Sequence, residues 1–241
     1  MPENPHPSYD QYLSLHLSQS YAAYSKMAAL RVAYHRANLL PQLVQQLDAP
    51  LLEIGPGFGE LLQALLSHGF TAIQAVDISS EVVHHIQKHF PSVTCQKIDN
   101  LLTYLNTTPA TFQNILMVDV IEHIPKDDLL ALLVSARKAL SPGGRMIVQT
   151  VNMGSPMANN VLYYDLTHTW GYTEMSIRDA FTLAGFSKVE VLGYRFPAGF
   201  VGAVRSLLRY IAQRMFWSIA FANGMARMRI MDPALVVVAT N

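Results

Sequence analysis

A chain of 241 residues, 51% hydrophobic and only 14% charged, has enough apolar material for one large domain with a substantial core, or a domain with an added lid. Its formal net charge of zero provides no general attraction to a polyanion, so a nucleic acid is not an expected partner. The single cysteine, Cys95, excludes an internal disulfide and fits a reducing compartment, and MPENPHPSYD lacks the basic and apolar regions of a secretion signal, so a cytoplasmic location is expected.

Ser8 to Leu47 reads as helical, broken or restarted at Pro41, and Tyr9, Tyr12, Tyr21, Tyr24 and Tyr34 crowd this region. At Pro50 the pattern changes to short apolar runs alternating with amphipathic helices. PLLEI predicts a buried strand ending at Gly55, and GELLQALLSHG a helix stopped by Gly69. TAIQAVD predicts a second strand ending at Asp77. SSEVVHHIQKHF predicts a helix with a serine cap and Glu81 in its first turn, with Pro91 after its end. SVTCQKID and NILMVDV predict strands three and four, KDDLLALLVSARKAL a helix, and SPGG a turn into the fifth strand, RMIVQTV. A long loop from Asn152 to Tyr172 precedes the helix TEMSIRDAFTLAGF and the strand KVEVLGY, and PALVVVAT closes the chain as a strand. Such alternation predicts an α/β fold whose mostly parallel sheet is covered on both faces.

Ala198 to Met225, AGFVGAVRSLLRYIAQRMFWSIAFANGM, is long and apolar, but Arg205, Arg209 and Arg214 interrupt it. Each would cost roughly 2.5–3.5 kcal/mol at a bilayer centre, so a membrane span is not expected. Arg205 and Arg209 share a helix face, Arg214, Arg227 and Arg229 add charge, and no acid follows until Asp232. The expectation is an amphipathic helix buried along one face on the domain. The alternatives for 198–229 are a membrane surface or lipid-linked acceptor, an anionic acceptor, or a partner subunit.

LLEIGPGFGE, Leu51 to Glu60, places Gly55, Gly57 and Gly59 where a strand ends and a helix begins. Ligands of open α/β sheets bind beyond the carboxyl ends of the strands. Glycine there permits positive φ and admits a ligand to the backbone without a Cβ, although a tight turn alone also uses it. The third glycine of a dinucleotide fingerprint is replaced by Glu60, whose carboxylate repels a diphosphate, and no Lys-Ser/Thr pair makes a P-loop. A nicotinamide-dependent oxidoreductase is therefore disfavoured. Asp77 lies about twenty residues past the first glycine, where a carboxylate accepts both hydroxyls of a ribose, or else caps the helix beginning at Ser79 or Ser80. Asp99 ends the third strand, within reach of an adenine amino group, and Asp119 ends the fourth, beside the expected ligand path. Three strand-end acids and a glycine turn suit a ligand with a ribose, a base and a cationic amino-acid end.

Together LLEIGPGFGE, AVDIS, KIDN, VDVIEHI and LSPGGRMIVQT resemble the class I S-adenosylmethionine-dependent methyltransferases, from Pro50 to Val151 most closely and more loosely to Tyr194. The resemblance implies a Rossmann-like, doubly wound, seven-stranded sheet with an antiparallel last strand, supplied by PALVVVAT. It implies a helical cap over residues 1–48 and a methyltransferase domain over 49–241, with a helical insertion at about 197–231. It also implies that Glu53, Gly55 and Gly57 line the methionine part of the cofactor, that Asp77 takes the ribose and that Ile78 packs on the adenine. Asp99 and Asn100 would meet the base, and Asp119 and Val120 would flank the sulfonium. In this family an N-terminal segment often covers cofactor and acceptor.

A hydroxyl acceptor needs its proton removed, and the candidate bases are Glu122, His123 and His168. DLTHTWGYTEMSIRDAFTLAGF resembles the Asp-x-x-His, aromatic, Thr, helix pattern frequent in methyltransferases of saccharides, lipids and small natural products. His168 is thus the preferred base or acceptor-positioning group, the rival reading being a histidine that only ties the loop. Asp119, Glu122, His123 and His168 also resemble the metal site of small-RNA and some quinone O-methyltransferases, although Asp stands where the RNA enzymes would have Glu. A divalent metal is an alternative, not the favoured reading. The expected activity is methyl transfer to a hydroxyl oxygen of a small molecule or saccharide. The non-catalytic alternative is a methyltransferase-like binding subunit.

Overall fold

The computed structural model describes residues 21–109, 111–163, 165–224 and 229–241, with side chains from residue 27 onward. Tyr9, Tyr12 and Arg227, and the side chains of Tyr21 and Tyr24, lie outside what is described. Helix α1 (Tyr21–Asn38) is followed by a single 3₁₀ turn (Leu40–Gln42) with Pro41 at its start. The helix expected to Leu47 ends there, because proline opens a new turn and disfavours helix in the residue before it. The chain beyond runs extended, and Asn114 holds it by accepting from the Val44 amide (2.9 Å) and donating to the Val44 carbonyl (3.0 Å).

The alternating region forms β1 (Leu51–Ile54), α2 (Glu60–His68), β2 (Ile73–Asp77), α3 (Ser80–His89), β3 (Thr94–Lys97), α4 (Leu101–Thr107), β4 (Phe112–Val118), α5 (Lys126–Ala139) and β5 (Leu140–Val151). Then come α6 (Ala158–Leu162), α7 (Glu174–Leu183), β6 (Lys188–Gly193), α8 (Phe200–Ala222) and β7 (Ala234–Thr240). The seven strands form one sheet in the order β3-β2-β1-β4-β5-β7-β6. Strand β7 is antiparallel to both its neighbours, and the other pairings are parallel. This is the Rossmann-like sheet expected from the sequence.

Three local features differ from expectation. Helix α4 was not anticipated. SPGG is not a free turn but the first part of β5, with the register against β4 shifting between Phe112 and Asn114 and Gly143 at φ 72°. Helix α6 interrupts the long loop after β5.

Successive strand residues face opposite sides, so Leu51 and Leu52 enter different cores. One core joins Leu52, Ile54 and Ile115 to α4, α5 and α7; the other joins Leu51, Ile73 and Ala75 to α1, α2 and α3. Each fully buried leucine or isoleucine contributes about 1.5–3 kcal/mol. Chain order leaves β1 leftward for β2 and returns to β4 on its other side. The crevice beyond the ends of β1 and β4 is therefore where a doubly wound sheet receives its ligand.

The expectation for the arginine-bearing helix is corrected. Ala220 is the one buried residue of α8, while Phe200 and Phe221 are 84% and 85% exposed. Only a narrow stripe, Gly202, Arg209, Gln213, Phe216, Trp217 and Ala220, turns toward the domain. Arginine 209 pins it, donating to Asp232 (2.6 Å) and the Tyr194 carbonyl (2.9 Å) and lying over the Phe196 ring. No helix among the described residues is long and apolar enough to cross a membrane.

Candidate active site

The turn after β1 is made by backbone that only glycine adopts easily. Gly55, Gly57 and Gly59 have φ of 72°, 52° and 85°. A Cβ on Gly55 would fall 2.5 Å from Val120 Cγ2, so this glycine also lets β1 and β4 diverge at close range. A Cβ on Gly57 would meet nothing within 4 Å, so this glycine faces open space. Beneath the turn Glu53 is 2% exposed, its Oε2 has no hydrogen-bond partner among the described residues, and burial, reinforced by the charge of Glu60, pushes its carboxyl up to about 8. Glu60 itself bonds Arg31 of α1 at 3.0 Å. Its charge is answered within the protein, which weakens the inference from Glu60 against a phosphate ligand.

Asp77 ends β2 and accepts the Ser79 amide at Oδ1 (2.8 Å). Capping of α3 falls to Ser79, whose hydroxyl accepts from Val82 (3.4 Å). Burial lifts the Asp77 carboxyl to about 6 against the amide hydrogen bonds of Ser79 and Ile78. Ile78 is half-buried against the core. Asp99 is exposed, and Asn100 spends its side-chain oxygen capping α4, accepting from Thr103 at 2.9 Å. That asparagine before an apolar run was the legible signal for the unanticipated helix.

Asp119 has φ 53°, the one positive φ outside glycine among the described residues. Gln149, not singled out from sequence, donates to both its carboxylate oxygens (3.0 and 3.1 Å). Asp119 is solvent-exposed yet surrounded by protein mass, as a group in an open cleft is. Val120 packs against the Gly55 turn. Tyr34 of α1 meets the Tyr194 ring edge-on at 5.7 Å, and burial, with the charge of Asp119 next, holds its hydroxyl well above the usual phenol range.

The other wall comes from the turn Ile121–His123 and the loop after α6. Glu122 lies under the surface at 1% exposure. Its Oε2 accepts from Thr150 (3.0 Å), its Oε1 has no partner among the described residues, and burial, then the nearby Asp119, pushes its carboxyl up to about 8. Its main-chain carbonyl ties down the loop, accepting from the amides of Thr169 (2.8 Å) and Trp170 (3.2 Å). His123 and His168 stand edge-to-face, 4.7 Å between ring centroids. Thr167 donates its hydroxyl to Asp165 Oδ1 (2.6 Å), so its oxygen accepts from His123 Nδ1 (2.9 Å). His168 Nδ1 lies 2.8 Å from the Leu162 carbonyl and must donate to it, which leaves the Nε2 lone pair available. Burial lowers the His123 pKa, with His168 as the next cause. Burial would raise Asp165, but the Thr167 hydrogen bonds and the two histidines hold it below the usual range. Ligand atoms of His123, Asp165 and His168 all lie within 4.8 Å of one another. This is the one such cluster among the described residues, and it replaces the anticipated Asp119, Glu122, His123, His168 set: Glu122 points inward to Thr150, and Asp119 is held by Gln149.

Comparison with curated proteins finds no match. Among solved structures, an S-adenosylmethionine-dependent methyltransferase from Archaeoglobus fulgidus is 16% identical, with 92% of this chain and 100% of that one covered and a TM-score of 0.67. One from Thermotoga maritima, described as a possible histamine N-methyltransferase, is 16% identical over 96% and 99% of the two chains with a TM-score of 0.65. A Haemonchus contortus phosphoethanolamine N-methyltransferase, in complex with phosphomonomethylethanolamine and S-adenosylhomocysteine, is 18% identical over 98% of this chain and 60% of that one, with a TM-score of 0.62. The model of the methyltransferase-domain family matches residues 27–191, more than half of the sequence, and the chain belongs to that family.

Proposed function

We propose that the chain transfers a methyl group from S-adenosylmethionine to a hydroxyl oxygen of a small molecule or saccharide. The observation that carries this reading is the pairing of two features at one sheet edge. One is a glycine turn open at Gly57, flanked by Glu53, Asp77 and Asp119; the other is a histidine wall on which, among the described residues, His168 Nε2 has no hydrogen-bond partner. The cofactor fits these residues. A cationic amino group suits a region where Glu53 Oε2 lacks a partner, and the Asp77 carboxylate accepts from ribose hydroxyls. Gly55 and Gly57 admit the methionine end, Ile78 offers its apolar side chain to the base with Asp99 and Asn100 at its edge, and Asp119 and Val120 border the reacting sulfur. Bound there, S-adenosylmethionine supplies an electrophilic methyl group on a good leaving group.

The protein then aligns the acceptor and takes its proton. His168 Nε2 accepts the hydroxyl proton as the oxygen forms its new bond to carbon, and His123 holds the ring of His168 in place. Glu122 anchors the loop from below and takes no proton from the acceptor.

Calorimetry with S-adenosylhomocysteine should show binding, weakened about a hundredfold in Asp77→Ala by loss of two charge-assisted hydrogen bonds. No heat with S-adenosylmethionine or S-adenosylhomocysteine, on folded protein, overturns the proposal. A second reading, a divalent metal held by His123, Asp165 and His168 that orients the acceptor oxygen, rests on their ligand atoms converging. Turnover that survives chelation supports the histidine base, and turnover abolished by chelator and restored by metal supports the second reading.

A further inference from the structure

We propose that α8 docks the protein on an anionic lipid surface. At 3.6 residues per turn, the side of α8 opposite its domain-facing stripe carries Val204, Leu207, Leu208, Ile211, Met215 and Ile219, all exposed. The spacing of three and four repeats along the helix, so these side chains form one continuous apolar ridge. Exposed apolar area of this extent on a protein surface marks an interaction site. Arg205 and Arg214 border the ridge, one on each side. Both are exposed, and among the described residues neither meets a carboxylate. The sequence holds no acid between Glu190 and Asp232.

An apolar ridge with cations at both margins is the pattern of a helix lying in the plane of a membrane, its apolar side among the acyl chains and its arginines reaching the phosphates. The charge selects the occupant: a second copy of α8 would bring arginine margins against arginine margins, whereas anionic headgroups complement them. The other face of the helix is already committed, since Arg209 joins it to Asp232 and to Tyr194, the residue that meets Tyr34 at the cleft. The domain-facing side of α8 is thus fixed to the protein, and the apolar ridge is the side left for the bilayer.

Flotation of the whole protein with vesicles of phosphatidylglycerol mixed into phosphatidylcholine tests this, against pure phosphatidylcholine vesicles. Wild type should float with the anionic vesicles at low salt and be released as salt rises. Leu208→Glu combined with Ile211→Glu should abolish flotation. Arg205→Gln and Arg214→Gln should each weaken it about fivefold. All these positions are exposed, so the variants should still bind S-adenosylhomocysteine by calorimetry, which separates this proposal from the methyl-transfer reading. Absence of flotation with anionic vesicles overturns it, as does equal flotation by the double glutamate variant. A wild-type dimer by light scattering that the double variant converts to monomer, without vesicle binding by either, overturns it in favour of a second copy.

Discussion

At the ends of β1, β2 and β4 the main chain does most of the placing: Gly55, Gly57 and Asp119 have positive φ, and Asp77 is held by the amide two residues on, with Gln149 the one side chain that adds to it at Asp119. Across the cleft, His123, Asp165 and His168 are placed by hydrogen bonds between a turn and a loop 44 residues apart in sequence, with Thr167 joining His123 to Asp165. The first kind of wall is written in local sequence and resists substitution because its cost is steric. The second is assembled from separate segments, and its precision depends on each bond. The two walls should therefore respond differently to mutation: damage on the glycine side should appear in cofactor affinity, damage on the histidine side in turnover.

The largest effect should come from His168→Ala, with turnover falling about 10²- to 10⁴-fold, the usual contribution of a positioned base. Affinity for S-adenosylhomocysteine should be unchanged within a fewfold. Thr167→Val should produce a smaller loss of the same kind, since it removes the hydroxyl that joins His123 to Asp165 without touching His168. Parallel losses of cofactor affinity and turnover in His168→Ala would mean that the two walls are not separable.

Next come the buried carboxyls, one beneath each wall. Glu53 and Glu122 both have carboxyls raised to about 8 from an ordinary value of 4.5. The unfolded chain releases these protons at lower pH than the folded chain, so the unfolded state binds fewer protons in between. The stability they contribute is complete below about pH 4.5 and is lost as pH rises through about 8. Roughly 2–5 kcal/mol per group is at stake over that span. Denaturation followed from about pH 5 to about pH 9 should show the decline, and Glu53→Gln and Glu122→Gln should each flatten part of it. Saturating S-adenosylhomocysteine sharpens the comparison: if its ammonium sits beside Glu53 as proposed, it should favour the carboxylate there and remove that share of the slope, leaving the share of Glu122 in place.

Gly55→Ala and Gly57→Ala divide steric from conformational cost. Each places a side chain at positive φ, about 1–2 kcal/mol of backbone strain. Only Gly55→Ala also meets Val120, so it should be the less stable of the two, and Val120→Ala should recover part of its melting temperature but not the strain. Gly57→Ala faces open space, so its additional loss should be in cofactor affinity.

The same division explains what was legible. The sheet, the glycine turn, Asp77 and Asp119 follow from strand period and turn chemistry, which act over a few residues. Gln149 could not be assigned to Asp119 because nothing in RMIVQTV distinguishes it until β5 is placed beside β4. Glu122 looked like a candidate base because sequence does not reveal that its side chain points inward to Thr150. Asp165 was visible only as part of a pattern with His168, and its approach to His123 depends on how the loop folds over the turn. Helix α8 misled for a related reason: its apolar residues promised a buried face, yet they run along the side away from the domain.

The smallest effect should come from Arg31→Gln. Arg31 is 50% exposed and bonds Glu60 at 3.0 Å. Ion pairs at such exposure contribute about 0.2–1 kcal/mol, so the melting temperature should fall by no more than about 2–4 °C, and less at high salt. The informative readout is pH. Without Arg31, the charge of Glu60 acts more strongly on Glu53 and raises its carboxyl further, so the decline due to Glu53 should extend to higher pH while that of Glu122 keeps its range. If both declines change together, Arg31 acts through the position of α1 over the whole cleft rather than through Glu60. In that case α1, and not the glycine turn alone, sets the geometry of the cofactor wall.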